Sequence, residues 1–318
     1  MAVDAEQPCF VVGTGRCGST LLSDIVRADS DLLSLSELFT VLGGRALFDA
    51  GELDGAEFWE LLNRPFSDLE RLMRFGLRIG EIERPRARRG LSPPTGSMPP
   101  LLLATLPDAS DDALEPLHTE IGRALCGRSR GPIAWHLDAL IAWLRARLGR
   151  ACVVERSGGS LLYLDKLIEG WPHAKFVHIV RDGCDTALSM RNHPYYRVLV
   201  ARQLRRDERL PVEHCLDTPV PLERYGALWS TMIMRGLAQL ERLPRQRVLT
   251  LRYEALLADH AAELFRLAQF IGRPSAYADW IEAAAVLVRP PAPRSSEATA
   301  DELVRLARSC RLGARLLG

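Results

Sequence analysis

Three groups of residues have the types and spacing to handle an anion. The run F-V-V-G-T-G-R-C-G-S-T-L-L, Phe10 to Leu22, passes from an apolar stretch through Gly13, Gly15 and Gly18 into a helical pattern that starts near Ser19. In such a turn the backbone amides face outward, and the positive end of the following helix attracts negative charge. Gly15, Arg16, Cys17, Gly18, Ser19 and Thr20 are therefore expected to hold an anion. A nucleoside-triphosphatase loop reads G-x-x-x-x-G-K-[ST], and here Ser19 stands in the lysine place. The cation lies inside the loop instead, as Arg16, where a guanidinium reaches a terminal group carried on a single 5′-phosphate. That arrangement favours a phosphosulfate over a triphosphate. The alternative for the run taken alone is a glycine-rich turn from strand to helix.

A second run, A-K-F-V-H-I-V-R-D-G-C-D-T-A-L-S-M from Ala174 to Met190, is a buried-strand pattern that ends in Arg181 and passes into a helix carrying Ser189. Eight residues separate the arginine and the serine, so the serine lies about two helical turns on and can face the same strand edge. A guanidinium and a hydroxyl converging there suit a phosphate. Two anion sites together imply a doubly phosphorylated nucleotide.

With both motifs in this order, the chain resembles the sulfotransferases that use 3′-phosphoadenosine-5′-phosphosulfate (PAPS). In that family the first motif binds the 5′-phosphosulfate, and an arginine followed eight residues later by serine binds the 3′-phosphate. Arg16 makes the chain most similar to the branch containing tyrosylprotein and carbohydrate sulfotransferases, since the small-molecule branch carries lysine there. The segment L-R-Y-E-A-L-L-A-D-H, Leu251 to His260, resembles the family's Y-E-x-L segment and implies that Tyr253 touches the nucleotide. V-V-E-R-S-G-G-S-L-L-Y-L, Val153 to Leu164, is similar to a segment usually reading E-K-[ST]-P, with Arg156 for lysine and Gly158 for proline. Arg294 and Ser295, followed by Ser296, resemble the late loop that closes on the nucleotide. The resemblance implies a P-loop-like α/β architecture, PAPS as donor, a hydroxyl-bearing acceptor and no metal.

Sulfuryl transfer needs positioning and charge stabilisation, by analogy with phosphoryl transfer, and a base for the acceptor's proton. Arg16 and Glu37 are the expected catalytic residues. Glu37 lies 21 residues after Arg16, at what would be the next strand's end, and matches a catalytic glutamate of the tyrosylprotein branch. A helix-start glutamate after Ser34 or Ser36 is the alternative explanation for it. His136, which follows Trp135 at a helix entry, is a competing base, whereas His178 sits inside a strand pattern and reads as core. Arg191 and His193 either extend the 3′-phosphate site, as the resembling branch implies, or form a solvated helix end. The competing functions are a nucleotide kinase with a degenerate loop and a non-catalytic nucleotide-binding protein.

The elements that must hold these residues alternate. Strand patterns cover Cys9–Val12, Ala151–Val154, Lys175–Val180 and Arg247–Leu251, apolar enough to be buried on both faces. Between and after them lie helical patterns at Ser19–Ala28, Leu137–Leu148, Leu161–Glu169, Asp185–Arg191, Leu222–Leu243, Ala261–Ile271 and Asp301–Leu312. The expectation is an α/β fold, a parallel sheet flanked by helices, forming one domain over residues 1–318. Residues 48–143 match no family segment and form an insertion expected to shape acceptor binding. Within it, Leu77 to Pro107 reads as irregular, with a basic run from Arg84 to Arg89 and prolines up to Pro100.

Composition narrows the classes. With 47% hydrophobic and 25% charged residues the chain is globular, and 41 basic against 40 acidic residues give a net charge of +1. That balance lacks the basic face of a nucleic-acid binder. Seven scattered cysteines without a CxxC pair indicate neither a zinc site nor a disulfide framework, and so reduced thiols in the cytoplasm. Met1 to Pro8 is polar, no leader is expected, and no stretch approaches membrane-spanning length. The richness in Ala, Arg and Leu suggests a bacterial source, and a homodimer is compatible with all of this.

Overall fold

The computed structural model describes residues 8–64, 72, 90, 100–107, 109–289 and 298–318. Its centre is a five-stranded sheet made by β1 (Cys9–Val12), β2 (Leu32–Ser36), β5 (Cys152–Arg156), β6 (Lys175–Val180) and β7 (Val248–Arg252), in the order β2-β5-β1-β6-β7. All four pairings are parallel. Strand β1 is the axis, with Phe10 opposite Glu155 on one side and Phe176 on the other. The two short strands β3 (Glu52–Leu53) and β4 (Gly131–Pro132) pair antiparallel and join the two ends of the insertion.

Alternation along each strand divides the core into two layers. Val11, Val177 and Leu251 face the layer packed by α1 (Ser19–Val26) and by three later helices. Phe10, Leu35, Phe176 and Val180 face the other layer, which is continuous with the insertion. The helices α2 (Leu38–Val41) and α3 (Arg45–Phe48) follow β2, and α4 (Gly55–Asn63), α5 (Pro100–Thr105), α6 (Asp111–Leu125) and α7 (Ile133–Arg147) belong to the insertion. Asp54 and Glu57 form a reciprocal capping box at the start of α4.

After β5 come α8 (Leu164–Gly170), then α9 (Gly183–Arg191), α10 (Pro194–Arg205), α11 (Val212–Asp217) and α12 (Leu222–Leu240). After β7 come α13 (Tyr253–Ala258), α14 (His260–Ile271) and α15 (Tyr277–Leu287), whose Leu256, Leu264 and Trp280 complete the first layer. The last helix, α16 (Ala300–Leu317), packs Leu306 and Cys310 into the second layer. No helix among the described residues is long and apolar enough to cross a membrane, and all seven cysteines are free thiols.

The α/β expectation holds, with two local corrections. Strand β2, whose end was expected just before Glu37, lacks bounds in the strand patterns because its serines look polar; Ser34 and Ser36 instead exchange hydrogen bonds with Ser23 of α1, at 3.0 and 3.3 Å, inside the fold. The stretch Leu77 to Pro107 ends in helix α5 and not in irregular chain, because Pro100 occupies the first helical position, where no amide is needed, and the run Leu101–Leu103 is buried. The Arg84–Arg89 run lies outside the described residues.

His178 is a core residue, as its strand pattern implies. It lies opposite Val12 and Thr250 in the sheet and is fully buried. Burial lowers its pKa from 6.5 to about 4, and neither ring nitrogen has a partner. Between those two values the unfolded chain binds the proton first, so stability is lost as pH falls from about 6.5 towards 4. His178→Leu removes no hydrogen bond, and its stability should be insensitive to this step. Urea unfolding at pH 7.5 and pH 4 should show wild type losing about 3 kcal/mol more than the variant.

Candidate active site

Each parallel strand delivers a candidate residue at its carboxyl end, where open α/β sheets bind ligands. The glycine loop follows β1, Glu37 follows β2, Arg156 ends β5, Arg181 follows β6 and Tyr253 follows β7. Residues scattered over more than two hundred positions of chain thus reach one edge.

The loop after β1 turns through left-handed backbone at Gly15 (φ 71°), Arg16 (φ 57°) and Gly18 (φ 94°). Glycine is required at two of these positions by packing as well as by φ. A Cβ on Gly15 would lie 1.8 Å from Tyr196 Oη, and one on Gly18 would lie 2.2 Å from the Tyr253 ring. Tyr196 donates its hydroxyl to the Thr14 carbonyl at 2.8 Å, and Gly13 N donates to Ser160 Oγ at 3.2 Å, so the loop is clamped from both sides. Helix α1 then begins at Ser19 behind an N-cap glycine, Gly18, with no side chain capping it and no acidic residue in its first turn, leaving amides directed at the loop's mouth. Ser19 and Thr20 stand in that turn. The Cys17 side chain points away from the loop's mouth into the core, where burial raises its pKa, so only its backbone can serve an anion there.

The second motif meets the first. Arg16 Nε donates to Ser189 Oγ at 3.3 Å across 173 residues of sequence. Asp182 caps α9 by accepting from Asp185 N at 2.9 Å, which fixes the turn out of Arg181. Arg181 is 8% exposed, bonds Asp185 at 3.1 Å and stacks over the Tyr253 ring at 4.8 Å. Its Nε is buried without a partner. Burial raises the Tyr253 pKa while Arg181 opposes the shift, so the phenol stays neutral. Arg191 ends α9, and the His193 ring packs edge-on against Tyr196 at 5.6 Å.

Glu37 occupies an elbow between β2 and α2 with left-handed backbone (φ 52°). Among the described residues only Arg16, Glu37 and Arg206 adopt positive φ without being glycine. Such strain persists only where surroundings enforce it, and two of the three positions are the expected catalytic residues. Glu37 stands at the N-cap of α2, a helix start as the alternative explanation has it, but its side chain makes no capping hydrogen bond. It pairs through Oε1 with the Arg156 guanidinium and accepts at Oε2 from Gly158 N at 2.9 Å. Its backbone amide donates to the Arg156 carbonyl at 2.7 Å. A carboxylate has about four lone-pair sites, so two bonds leave room to accept a proton.

His136 lies elsewhere. It is fully buried, donates from Nε2 to the Leu53 carbonyl at 2.7 Å and stacks on Phe58 at 5.0 Å, all within the insertion. Arg294, Ser295 and Ser296 lie outside the described residues. Reading along the chain missed Tyr196, Ser157 and Ser160, whose partners are 182, 118 and 147 residues away. The E-R-S-G run was visible as a family-like segment, but nothing in it announced the elbow that it holds. Among the described residues no group of three or more His, Cys, Asp and Glu could hold a metal ion.

Comparison with known proteins bears on the family and the fold. No curated protein matches the sequence at a significant level. Among solved structures, the sulfotransferase domain from the curacin biosynthetic pathway aligns with TM-score 0.50 at 15% identity, covering 96% of this chain and 98% of that one. Sulfotransferase STF9 from Mycobacterium avium aligns with TM-score 0.49 at 13% identity over 96% of this chain and 76% of that one. The family model described as "Sulfotransferase family" matches residues 8–279, and with most of its length inside that match this chain belongs to the sulfotransferase family.

Proposed function

We propose that this enzyme moves the sulfuryl group of PAPS to an acceptor hydroxyl, with Arg16 facing the transferring group and Glu37 as the base. The observation that carries this reading is the 3.3 Å contact of Arg16 Nε with Ser189 Oγ, which joins the two anion motifs into one edge beside the Glu37 elbow. The amides of Gly15 to Thr20 and the Ser19 and Thr20 hydroxyls would hold the 5′-phosphosulfate, and Arg181 with Ser189 the 3′-phosphate. The unpartnered Arg181 Nε and the uncapped first turn of α1 fit a ligand with two anionic ends. Tyr253, between Gly18 and Arg181, is placed to touch the nucleotide.

In the proposed step the acceptor oxygen bonds to sulfur in line with the departing 5′-phosphate oxygen. The sulfur–oxygen bond to that phosphate breaks, 3′-phosphoadenosine 5′-phosphate (PAP) leaves with the electron pair, and the acceptor's proton passes to Glu37. Arg16 offsets the charge spread over the transferring oxygens. No metal takes part in this reading. Arg16 in place of lysine supports a position near the tyrosylprotein and carbohydrate branch. The insertion over residues 48–143 is assigned to the acceptor, within a single catalytic domain. Free thiols and the composition support a bacterial cytoplasmic setting, and Arg294 and Ser295, outside the described residues, are assigned to the nucleotide on the family resemblance alone.

PAP should raise the thermal unfolding midpoint, while ATP with magnesium and NAD at equal concentration should not; a shift with ATP–magnesium alone would overturn the donor assignment. Arg16→Ala should cut PAPS turnover by at least about a thousandfold with the unfolding midpoint retained, and ordinary turnover in this variant would refute its role. For Glu37→Gln, kcat should fall about a hundredfold or more while the PAP dissociation constant stays within about twofold, as titration calorimetry and steady-state kinetics can establish.

A further inference from the structure

The elbow that aims Glu37 is held by four consecutive residues at the end of β5. Arg156 grips it through carbonyl and guanidinium, and Gly158 through its amide and through its carbonyl, which accepts from Thr40 Oγ1 at 3.2 Å. Between them, Ser157 Oγ accepts from Phe39 N at 3.1 Å and Thr40 N at 3.4 Å, the first amides of the elbow after Leu38. A hydroxyl has one proton and two lone pairs. With both lone pairs taken by amides, the proton must go to Glu155 Oε1, 2.6 Å away. Glu155 and Ser157 are 1% and 2% exposed, so water cannot take over either bond.

We infer that Glu155 and Ser157 are a positioning pair for the catalytic base: Glu155 fixes the Ser157 hydroxyl, and that hydroxyl fixes the turn that presents Glu37. This rests on the proposed role of Glu37. The pair acts without touching substrate.

The charge state of Glu155 matters because of its neighbours. Glu37, Arg156 and the buried Tyr163 phenol surround it, with the Leu38 amide beside it. Burial raises its pKa from 4.5 to about 8; the Ser157 hydrogen bond and Arg156 act in the opposite sense, and the charge on Glu37 adds to the rise. At neutral pH Glu155 is therefore a neutral acid, and the single guanidinium of Arg156 serves Glu37. Above about pH 8 two carboxylates compete for it, and the elbow loosens. The unfolded chain releases this proton near 4.5 and the folded chain near 8, so the wild type loses stability as pH rises through that window.

Ser157→Ala, Ser157→Thr, Glu155→Gln and Glu37→Gln test the pair. By hydrogen exchange, Ser157→Ala should speed the Phe39 and Thr40 amides about tenfold or more, and Ser157→Thr should restore protection. Ser157→Ala should lower the conversion of PAPS to PAP, with water or 4-nitrophenol as acceptor, about tenfold while PAP affinity holds. Glu155→Gln keeps a neutral acceptor for Ser157, so turnover at pH 7 should stay within about twofold of wild type and the decline above about pH 8 should vanish. Its unfolding midpoint should gain on wild type from about pH 5 to pH 8 and hold constant above. Unchanged exchange in Ser157→Ala, or a Glu155→Gln profile that still declines above pH 8, would overturn the inference. Full turnover in Glu37→Gln would instead remove the base assignment, while the exchange data continue to decide whether the pair holds the elbow.

Discussion

The parallel pairing of β1 between β5 and β6 governs the rest of this molecule. With Phe10 opposite both Glu155 and Phe176, the glycine loop leaves the sheet between the chain that becomes Arg156 and the chain that becomes Arg181. A shift of one residue in either register would turn alternate side chains to the opposite layer, exchanging Phe176 and Val180 for Val177 and Ile179. The two-layer core therefore specifies the register, and the register brings Arg16 to Ser189 and Glu37 to Arg156. The geometry of the candidate site is a by-product of hydrophobic packing on both faces of a parallel sheet.

Strain at the edge is balanced by contacts that only the tertiary fold supplies. Arg16 and Glu37 both hold left-handed backbone that ordinary residues avoid. Around Arg16, Tyr196 and Tyr253 occupy the volumes that side chains on Gly15 and Gly18 would need, so the loop has little freedom to relax. Around Glu37, the hydrogen bonds from β5 perform the same task. The aromatic groups also remove water from the loop's flanks, which strengthens any charge interaction made there.

Much of this was legible in the chain, and the reasons for the rest are physical. Strands β1 and β6 coincide with the runs that marked them, since a strand buried on both faces reads as a nearly continuous apolar run, here interrupted in β6 only by the buried His178. The Arg181–Ser189 pair was readable because its spacing is set by one helix. Strand β2 was legible only through its end before Glu37, because the serines of Leu32–Ser36 are satisfied by Ser23 in a helix that precedes them, and residue type alone cannot reveal a partner. Helix α5 was hidden among prolines for a similar reason: a proline that starts a helix and one that breaks it look alike until the following leucines are known to be buried. Arg156 departed from the family's lysine, and its role became clear only once it was seen to pair with Glu37.

The Glu37–Arg156 pair is 8% and 2% exposed by residue, a setting in which taking both charges from water costs about as much as their attraction returns. Such a pair is a poor device for stability and a good one for orientation, because a guanidinium has a fixed planar fork and a carboxylate has defined lone-pair directions. The neighbouring Glu155 would spoil this if it were ionised, since one cation would then face two anions in a medium that screens poorly. Keeping its proton lets the strand end present a single carboxylate at the sheet edge, in the direction set by the elbow. Two buried ionisable groups thus orient a third, which is what the proposed role of Glu37 requires.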